Sequence, residues 1–279
     1  MKKNLFLLIL ILGVSAIADA SLAQHLFRRN PTFADVSVSG WGNYPPFGYT
    51  IQKKLHTMFR PALNSISKRK EVFINKEFAH PDVNVTTDAV RSGELDIFLG
   101  AYHETEAFDG IEIVYPAMII NPITIFMLPT RINEVKNVAD LQKLKGVRLQ
   151  NEIFSDFVEA KLREFNVETA KTSYELFEKL FTKQVDYIVS SQYFGLIEAS
   201  KLGLRSQISV AKQALWQIPM FVGISKLSKN RAVLRNAFTK YLKNPKNIEK
   251  IKQNMINLVN QAETNAIGTV PPTFEVQQK

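Results

Sequence analysis

The sequence contains no cysteine, and it has only two tryptophans and four histidines among its 279 residues. Without cysteine, a disulfide framework, a lipid-modified N-terminal cysteine and a thiol nucleophile are all excluded. The motifs Gly-x-Ser-x-Gly and His-Glu-x-x-His and a glycine-rich phosphate loop are absent as well. His25, His56 and His80 are dispersed and show no metal-ligand spacing. The sequence therefore predicts no catalytic residue, no metal and no cofactor.

Long apolar runs are also missing after the N-terminus, since Ala117 to Leu128 is interrupted by Asn121 and Pro122. At the N-terminus, Lys2 and Lys3 precede the apolar run from Leu5 to Leu12, and small residues follow. A retained anchor is the alternative, but a membrane-spanning helix needs about 20 apolar residues. We therefore predict a cleaved signal peptide over residues 1–23, a periplasmic location and no stable membrane insertion.

The charge balance is modestly basic. Removing residues 1–23 takes away Lys2, Lys3 and Asp19, which changes 35 basic and 26 acidic residues to 33 and 25, a formal net charge of +8. The excess of lysine and arginine is concentrated from Lys226 onward. The spacing of these residues distributes them around predicted helices, so a solvated helical face explains the excess better than a nucleic-acid-binding patch. The sequence predicts no nucleic-acid partner and a monomer.

Strand and helix patterns alternate along the mature chain, which predicts an α/β fold. Ile51 to Lys70 has helical apolar spacing, with Pro61 expected to kink or divide the helix. Leu95 to Ala101 has the composition of a buried parallel strand. Two further extended runs, Pro122 to Leu128 and Trp216 to Ile224, are candidates for strands that cross between two lobes. The predicted boundaries are 33–125 and 219–262 for lobe 1, 126–218 for lobe 2, and 263–279 for a loosely ordered tail.

An aromatic loop, Trp41 to Tyr49, follows the first predicted strand. Pro45 and Pro46 restrict its backbone, so Tyr44 and Phe47 are expected to project from a stiff turn. Loops at strand ends of open α/β sheets are where ligands usually bind. The alternative is that these rings simply pack on the next helix.

Several motifs in order resemble one known family. They are Tyr44-Pro45-Pro46-Phe47-Gly48-Tyr49, then Ser92-Gly93-Glu94-Leu95-Asp96, Ile113-Val114-Tyr115-Pro116 and Asp140-Leu141-Gln142-Lys143-Leu144-Lys145-Gly146-Val147. In this order and spacing the chain resembles, from about Val36 to Asn244, the family 3 solute-binding proteins, the periplasmic receptors of polar amino-acid ABC importers. The resemblance implies a two-lobed type II periplasmic binding protein fold. Each lobe is then a mixed sheet flanked by helices, two crossover strands join the lobes, and the ligand lies in the cleft between them.

The charged residues that the resemblance implies are not matched. The family binds the ligand's α-carboxylate with an arginine three residues after a threonine. The resemblance places Thr105 at the threonine position, and the residue three positions later is Phe108 instead of arginine. An acidic residue that usually neutralises the ligand's ammonium is replaced by Ser191, and a Gly-Ser or Gly-Thr turn is replaced by Asn151-Glu152. Because each buried ligand charge would lack a partner, an ordinary free α-amino acid is disfavoured.

The remaining cleft is aromatic and neutral-polar, with Glu152 as its acidic group, which favours a small polar or cationic solute. The predicted ligand-binding residues are Tyr44, Phe47, Tyr102, His103, Thr105, Phe108, Glu152, Ser190, Ser191 and Gln192, with Trp216 as a further possible wall. We predict a solute receptor that delivers its ligand to the permease of an ABC importer. One alternative is a non-transport descendant that binds a protein partner. The other is an enzyme resembling periplasmic dehydratases.

Overall fold

The computed structural model describes residues 34–68, 72–103 and 108–274. The predicted signal peptide and Thr105 lie outside these residues. The strands are β1 (Ala34–Trp41), β2 (Asn43–Tyr44), β3 (Gly48–Ile51), β4 (Lys54–His56), β5 (Val72–His80), β6 (Ile97–Tyr102), β7 (Ile111–Met127), β8 (Gly146–Leu149), β9 (Val167–Ala170), β10 (Tyr187–Ser191), β11 (Ser209–Val210) and β12 (Trp216–Ser225). The helices are α1 (Arg60–Lys68), α2 (Val83–Arg91), α3 (Asp156–Arg163), α4 (Ser173–Phe181), α5 (Gln192–Lys201), α6 (Arg231–Leu242) and α7 (Pro245–Asn265).

The main sheet has the strand order β5-β1-β6-β12-β7-β10-β8-β9, and β11 adds to β7. We call β5, β1 and β6 the first sheet half, and β10, β8 and β9 the second. Parallel pairs join β1 to β6, β10 to β8 and β8 to β9, whereas β12 and β7 run antiparallel to each other and to their outer neighbours. Strands β2, β3 and β4 form a separate small sheet.

The two sheet halves are joined by β7 and β12. Both predicted crossover runs are extended, but the first begins earlier than expected, because β7 starts at Ile111 rather than at Pro122. Along β12, Val222 to Ser225 pair with the start of β7, and Trp216 to Met220 pair with its middle. The end of β7 then pairs with β10. Hydrogen bonding therefore continues from one half to the other in a single sheet, which the sequence pattern did not predict.

Helix ends follow the chemistry of the flanking residues. Asp82 caps the start of α2, and its carboxylate accepts a hydrogen bond from the Asn84 amide at 2.9 Å. Gly93, with φ of +82°, follows the end of the same helix. The cap of α4 is Thr172, whose hydroxyl accepts a hydrogen bond from the Glu175 amide at 3.1 Å. Pro245 opens α7 at a position where a missing N–H costs nothing.

The helix predicted over Ile51 to Lys70 is wrong in its first half. Residues 48–56 form the β3-β4 hairpin, with positive φ at Gln52 and Lys53 in its turn. Helix α1 begins only at Arg60, so Pro61 lies in the first helical turn, where proline is tolerated, and does not divide a longer helix.

The C-terminal helix α7 contacts elements of both sheet halves. It packs against α1 and α5, and Asn254 donates a hydrogen bond to the Met58 carbonyl at 2.9 Å while Glu263 pairs with Arg205 at 3.1 Å. The helix also continues to Asn265, past the start of the predicted tail. Beyond it, the ring of Phe274 lies 5.3 Å from that of Phe181 in α4.

Among the described residues, no helix combines the length and apolar character needed to cross a bilayer. The described residues also bring together no group of three side chains suited to holding a metal ion.

Candidate functional site

A buried polar network lies where the two sheet halves meet. Strand ends supply most of it: Tyr44 ends β2, Tyr102 ends β6, and Ser190 and Ser191 end β10. Glu152 follows β8 in the second sheet half. The pairing of β10 with β7 places Ser191 beside Ile123, two residues from Asn121 on β7. The fold thus brings side chains that are far apart in sequence to one point.

The Glu152 carboxylate is the main acceptor of this network. Its Oε1 accepts hydrogen bonds from the Ser191 amide at 2.7 Å, from Ser190 Oγ at 3.0 Å and from Tyr44 Oη at 3.1 Å. Ser190 Oγ also lies 2.9 Å from Oε2. The side chain is only 2% exposed. Tyr44 ends β2 of the small sheet, directly after β1, and Glu152 follows β8 of the second sheet half, so the Tyr44–Glu152 bond joins these two parts of the fold.

Asn121 completes the network. Its Oδ1 accepts from Ser191 Oγ at 2.7 Å, and its Nδ2 donates to Tyr102 Oη at 2.9 Å and to Tyr44 Oη at 3.2 Å. Tyr44 Oη therefore accepts from Asn121 while donating to Glu152. Such mutual satisfaction is what a buried polar cluster needs to avoid a desolvation penalty.

Burial dominates the electrostatics of this site. It raises the pKa of Glu152 to about 7, against the lowering effect of its hydrogen bonds from Ser191, Ser190 and Tyr44. Burial, and then the neighbouring Tyr102 and Glu152, raise the pKa of Tyr44 well above its ordinary value. No lysine or arginine among the described residues forms an ion pair with the Glu152 carboxylate. The nearby Arg148 pairs with Glu159 at 2.7 Å instead.

Aromatic rings surround the network. The Tyr44 ring lies 5.0 Å from the rings of Trp41, Phe47 and Phe194. These are ordinary distances for tilted aromatic pairs. Tyr44 and Phe47 are 3% and 0% exposed, so the aromatic loop packs inward and does not project into solvent. The Tyr44 ring packs against Trp41 and, on α5, against Phe194, whereas the alternative expected the loop rings to pack on the next helix.

Phe108 is part of the aromatic core. It is 4% exposed, and its ring lies 5.0 Å from Phe98, 6.0 Å from Trp41 and 6.3 Å from Tyr102. A phenyl ring in this cluster presents no donor for a carboxylate. That Phe108 occupies the position of a charged ligand contact stays a prediction.

Seven of the ten predicted residues lie in or around the network. Five of them, Tyr44, Tyr102, Glu152, Ser190 and Ser191, share the hydrogen-bond network, and Phe47 and Phe108 lie in the surrounding aromatic cluster. His103 is exposed and lies near Tyr115 and Phe221, and Gln192 is half-buried at the start of α5. Thr105 is outside the described residues. A role in ligand binding stays a prediction for all ten.

Sequence reasoning missed Asn121, Trp41 and Phe194. For Asn121 there was a signal, because it interrupts an otherwise apolar run that becomes a buried strand. A fully buried amide in such a strand needs polar partners, which here are Ser191 and two tyrosines. Trp41 Nε1 donates to the Gly100 carbonyl at 2.9 Å, a contact that only the strand register reveals.

Comparison with known proteins identifies the architecture. No family model matches the sequence, and no curated protein is significantly similar to it. Solved structures do match. The GluR0 ligand-binding core in complex with L-glutamate superposes with a TM-score of 0.64 at 15% identity, covering 80% of this chain and 98% of that one. The fold is that of the two-lobed periplasmic binding proteins.

Two further structures with this fold are similar. The amino-acid ABC transporter substrate-binding protein AbpA from Streptococcus pneumoniae, bound to L-arginine, matches with a TM-score of 0.58 at 16% identity over 84% of this chain and 96% of that chain. An ancestral amino-acid-binding protein, AncCDT-1, is described as a precursor of cyclohexadienyl dehydratase. It matches with a TM-score of 0.58 at 16% identity over 85% of this chain and 98% of that chain. The predicted fold class is confirmed.

Proposed function

We propose that this chain is an exported solute receptor that binds a small polar or cationic solute between its two sheet halves and delivers it to an ABC importer. The observation that carries the proposal is the buried Glu152 carboxylate, which accepts hydrogen bonds from three donors but forms no ion pair with a described side chain, although the charge of Arg148 acts on it. Desolvating an unpaired carboxylate is costly. A cationic group of a solute would supply the missing partner.

The surroundings of Glu152 support a cationic solute. The Tyr44 hydroxyl donates to the carboxylate, and the Tyr44 ring packs against the rings of Trp41, Phe47 and Phe194. Aromatic faces attract ammonium groups by about 0.5–2 kcal/mol each. AbpA has L-arginine as its bound ligand, a cationic solute in the same fold. The resemblance described above aligns Phe108 and Ser191 with the charged contacts of an α-amino acid, and on that alignment we favour an amine without an α-carboxylate.

Solute entry requires a hinge motion. In the closed arrangement Tyr44 Oη touches Glu152 directly, so the solute's cationic group takes the place of this hydrogen bond. Strands β7 and β12 are the connections that would bend, since they alone run from one sheet half into the other along the described chain.

A thermal-shift screen tests the proposal. The purified protein is heated with putrescine, choline or ethanolamine, and separately with L-glutamate. We expect at least one amine to raise the melting temperature, because a ligand at 100 times its Kd adds about 2.7 kcal/mol. The shift should disappear in Glu152→Gln and persist in Glu249→Gln, a matched change at an exposed site on α7. Melting-temperature shifts of equal size in both variants would show that Glu152 does not bind the amine.

A second candidate is a body that stays closed and binds a protein partner. The direct Tyr44–Glu152 contact and the bridging of both halves by α7, through Asn254 and Glu263, favour it. Small-angle scattering separates the two candidates. A receptor changes its radius of gyration when the active amine is added, whereas the partner-binding body keeps the same radius.

We infer binding and not catalysis, although AncCDT-1 is described as a dehydratase precursor. A dehydratase-like site would be expected to bind its substrate carboxylate with arginine, and the resemblance to the family aligns Phe108 with that position. Export is proposed on the N-terminal pattern, and sequencing of the periplasmic protein should start near Ser21 or Gln24. Recovery of the intact Met1 from membranes would exclude processing.

A further inference from the structure

A surface cavity of about 1000 Å³ lies between residues 132–138, which follow β7, and residues 205–215, which lead into β12. This volume is at the upper end of the range of small-molecule sites, about 300–1,000 Å³. No residue of the Glu152 network lines the cavity, and none of the described residues predicted for the cleft does so. The cavity is therefore separate from the candidate functional site.

Hydrogen bonds hold both walls of this cavity in place. On one wall, the Ala211 amide donates to the Ile125 carbonyl at 3.1 Å, and the Leu215 amide donates to the Ile123 carbonyl at 2.8 Å. On the opposite wall, the side chain of Asn137 caps a short helical turn. Both walls are thus anchored to the fold, which favours a cavity that is formed before any ligand binds.

Much of the lining is aliphatic. Branched side chains come from both walls, and each of them is half-buried: Ile132, Val135, Val138, Val210 and Leu215. Part of their apolar surface is therefore in contact with water, and covering it would be favourable. Because no aromatic ring of the described chain lines the cavity, the walls suit an alkyl chain better than a stacked ring.

The charged side chains that line the cavity are all basic, namely Lys136, Arg205 and Lys212. Arg205 pairs with Glu263 at 3.1 Å. Backbone hydrogen bonds from Lys136 and Asn137, and then the charge of Lys136, lower the pKa of Asp140, so Lys136 is partly compensated. Lys212 is exposed and forms no ion pair with any residue that the structure describes. This excess of positive charge favours an anionic group in the cavity.

We propose that this cavity binds a small amphipathic anion, with its alkyl chain against the aliphatic walls and its anionic group near Lys136 and Lys212. A cation would be repelled by the lysines, and a small inorganic anion would leave the aliphatic surface in water. The cavity shares no described residue with the Glu152 network, so binding there does not depend on the proposed function. Octanoate has the required chemistry and serves as the probe.

Calorimetric titration with butanoate, hexanoate and octanoate measures the contribution of the aliphatic walls. Affinity should rise about fourfold for each CH₂ group that becomes buried. The contribution of the charge is measured with 1-octanol, which has the same chain length and no charge and should bind about tenfold more weakly than octanoate. No saturable binding of octanoate, an affinity that is independent of chain length, or equal binding of octanoate and 1-octanol would overturn the proposal.

Two pairs of variants locate the site. The double variant Lys136→Gln, Lys212→Gln should weaken octanoate binding about tenfold and leave 1-octanol binding unchanged. Its control, Lys246→Gln, Lys250→Gln, removes two exposed charges from α7 and should bind octanoate as the wild type does.

The second pair tests the cavity itself. Ala214→Trp places a large ring at a half-buried lining position and should abolish octanoate binding, whereas Ala232→Trp, at an exposed position on α6, should not. Circular dichroism checks that each variant is folded. If Ala214→Trp does not fold, the lysine variants still decide, because both lysines are exposed. Equal octanoate affinities within either folded pair would place octanoate elsewhere and refute the inference.

Discussion

The Glu152→Gln substitution should remove a loss of folding stability that occurs in the wild-type protein as pH rises. Burial raises the pKa of Glu152 from its ordinary value of 4.5 to about 7 in the folded state. Between these two pH values the folded protein binds more protons than the unfolded chain, so the free energy of unfolding falls as pH rises. The contribution of protonated Glu152 to the free energy of unfolding is fully present below pH 4.5 and is lost as pH rises to about 7.

The magnitude follows from the same pKa difference. Each pKa unit corresponds to about 1.4 kcal/mol, so ionising Glu152 costs the folded state about 3 kcal/mol at pH 7. Glutamine keeps the geometry of the protonated acid. Its Oε1 can accept from the Ser191 amide and Tyr44 Oη, and its Nε2 can donate to Ser190 Oγ. The variant therefore retains the network but has no charge to desolvate.

Urea denaturation of the wild-type and variant proteins at pH 4.5 and at pH 7 measures the effect. We expect the stability of Glu152→Gln relative to wild type to increase by about 3 kcal/mol between the two pH values. Glu249→Gln, at an exposed position, should show no such change. A constant difference between wild type and Glu152→Gln would mean that Glu152 is not buried as a protonated acid, and the reasoning would fail.

Two further substitutions test the packing of the site by urea denaturation. Tyr44→Phe removes the donor to Glu152 and should lower the free energy of unfolding by about 1–3 kcal/mol; Tyr115→Phe, at a ring that is 54% exposed, is the control and should change little. Gly100→Ala should destabilise by about 1–3 kcal/mol, because φ is +87° there and a Cβ would lie 3.1 Å from the Met220 methyl. Wild-type stability of either site variant would contradict the described contacts.

Local sequence patterns predicted those helices whose ends are set by residues next to them in the sequence. The sequence predicts helices over Gln192 to Lys201 and over Arg231 to Leu242, and both helices have these bounds in the structure. The β3-β4 hairpin was missed because the apolar residues from Ile51 onward also fit a helical period, and because its turn depends on positive φ at Gln52 and Lys53. Apolar spacing cannot distinguish the two when the run is short.

The site was predictable as a set of residue types but not as a network. Glu152 and the Ser190–Ser191 pair follow strands, so their meeting at strand ends could be expected. The position of Asn121 between Ser191 and Tyr44 depends on the register of β10 against β7, a long-range pairing that one sequence does not encode locally. The inward packing of Tyr44 also depends on Phe194, 150 residues later in the chain.

Calorimetric titration with the amine that gives the largest thermal shift tests the central claim, that Glu152 is the solute's partner between the sheet halves. We predict binding by the wild-type protein and a loss of about 30-fold or more in Glu152→Gln, since removing one partner of a buried charged pair costs about 2–5 kcal/mol. L-Glutamate and L-arginine should not bind at micromolar concentration. Micromolar binding of either amino acid that is unchanged in Glu152→Gln would contradict the account.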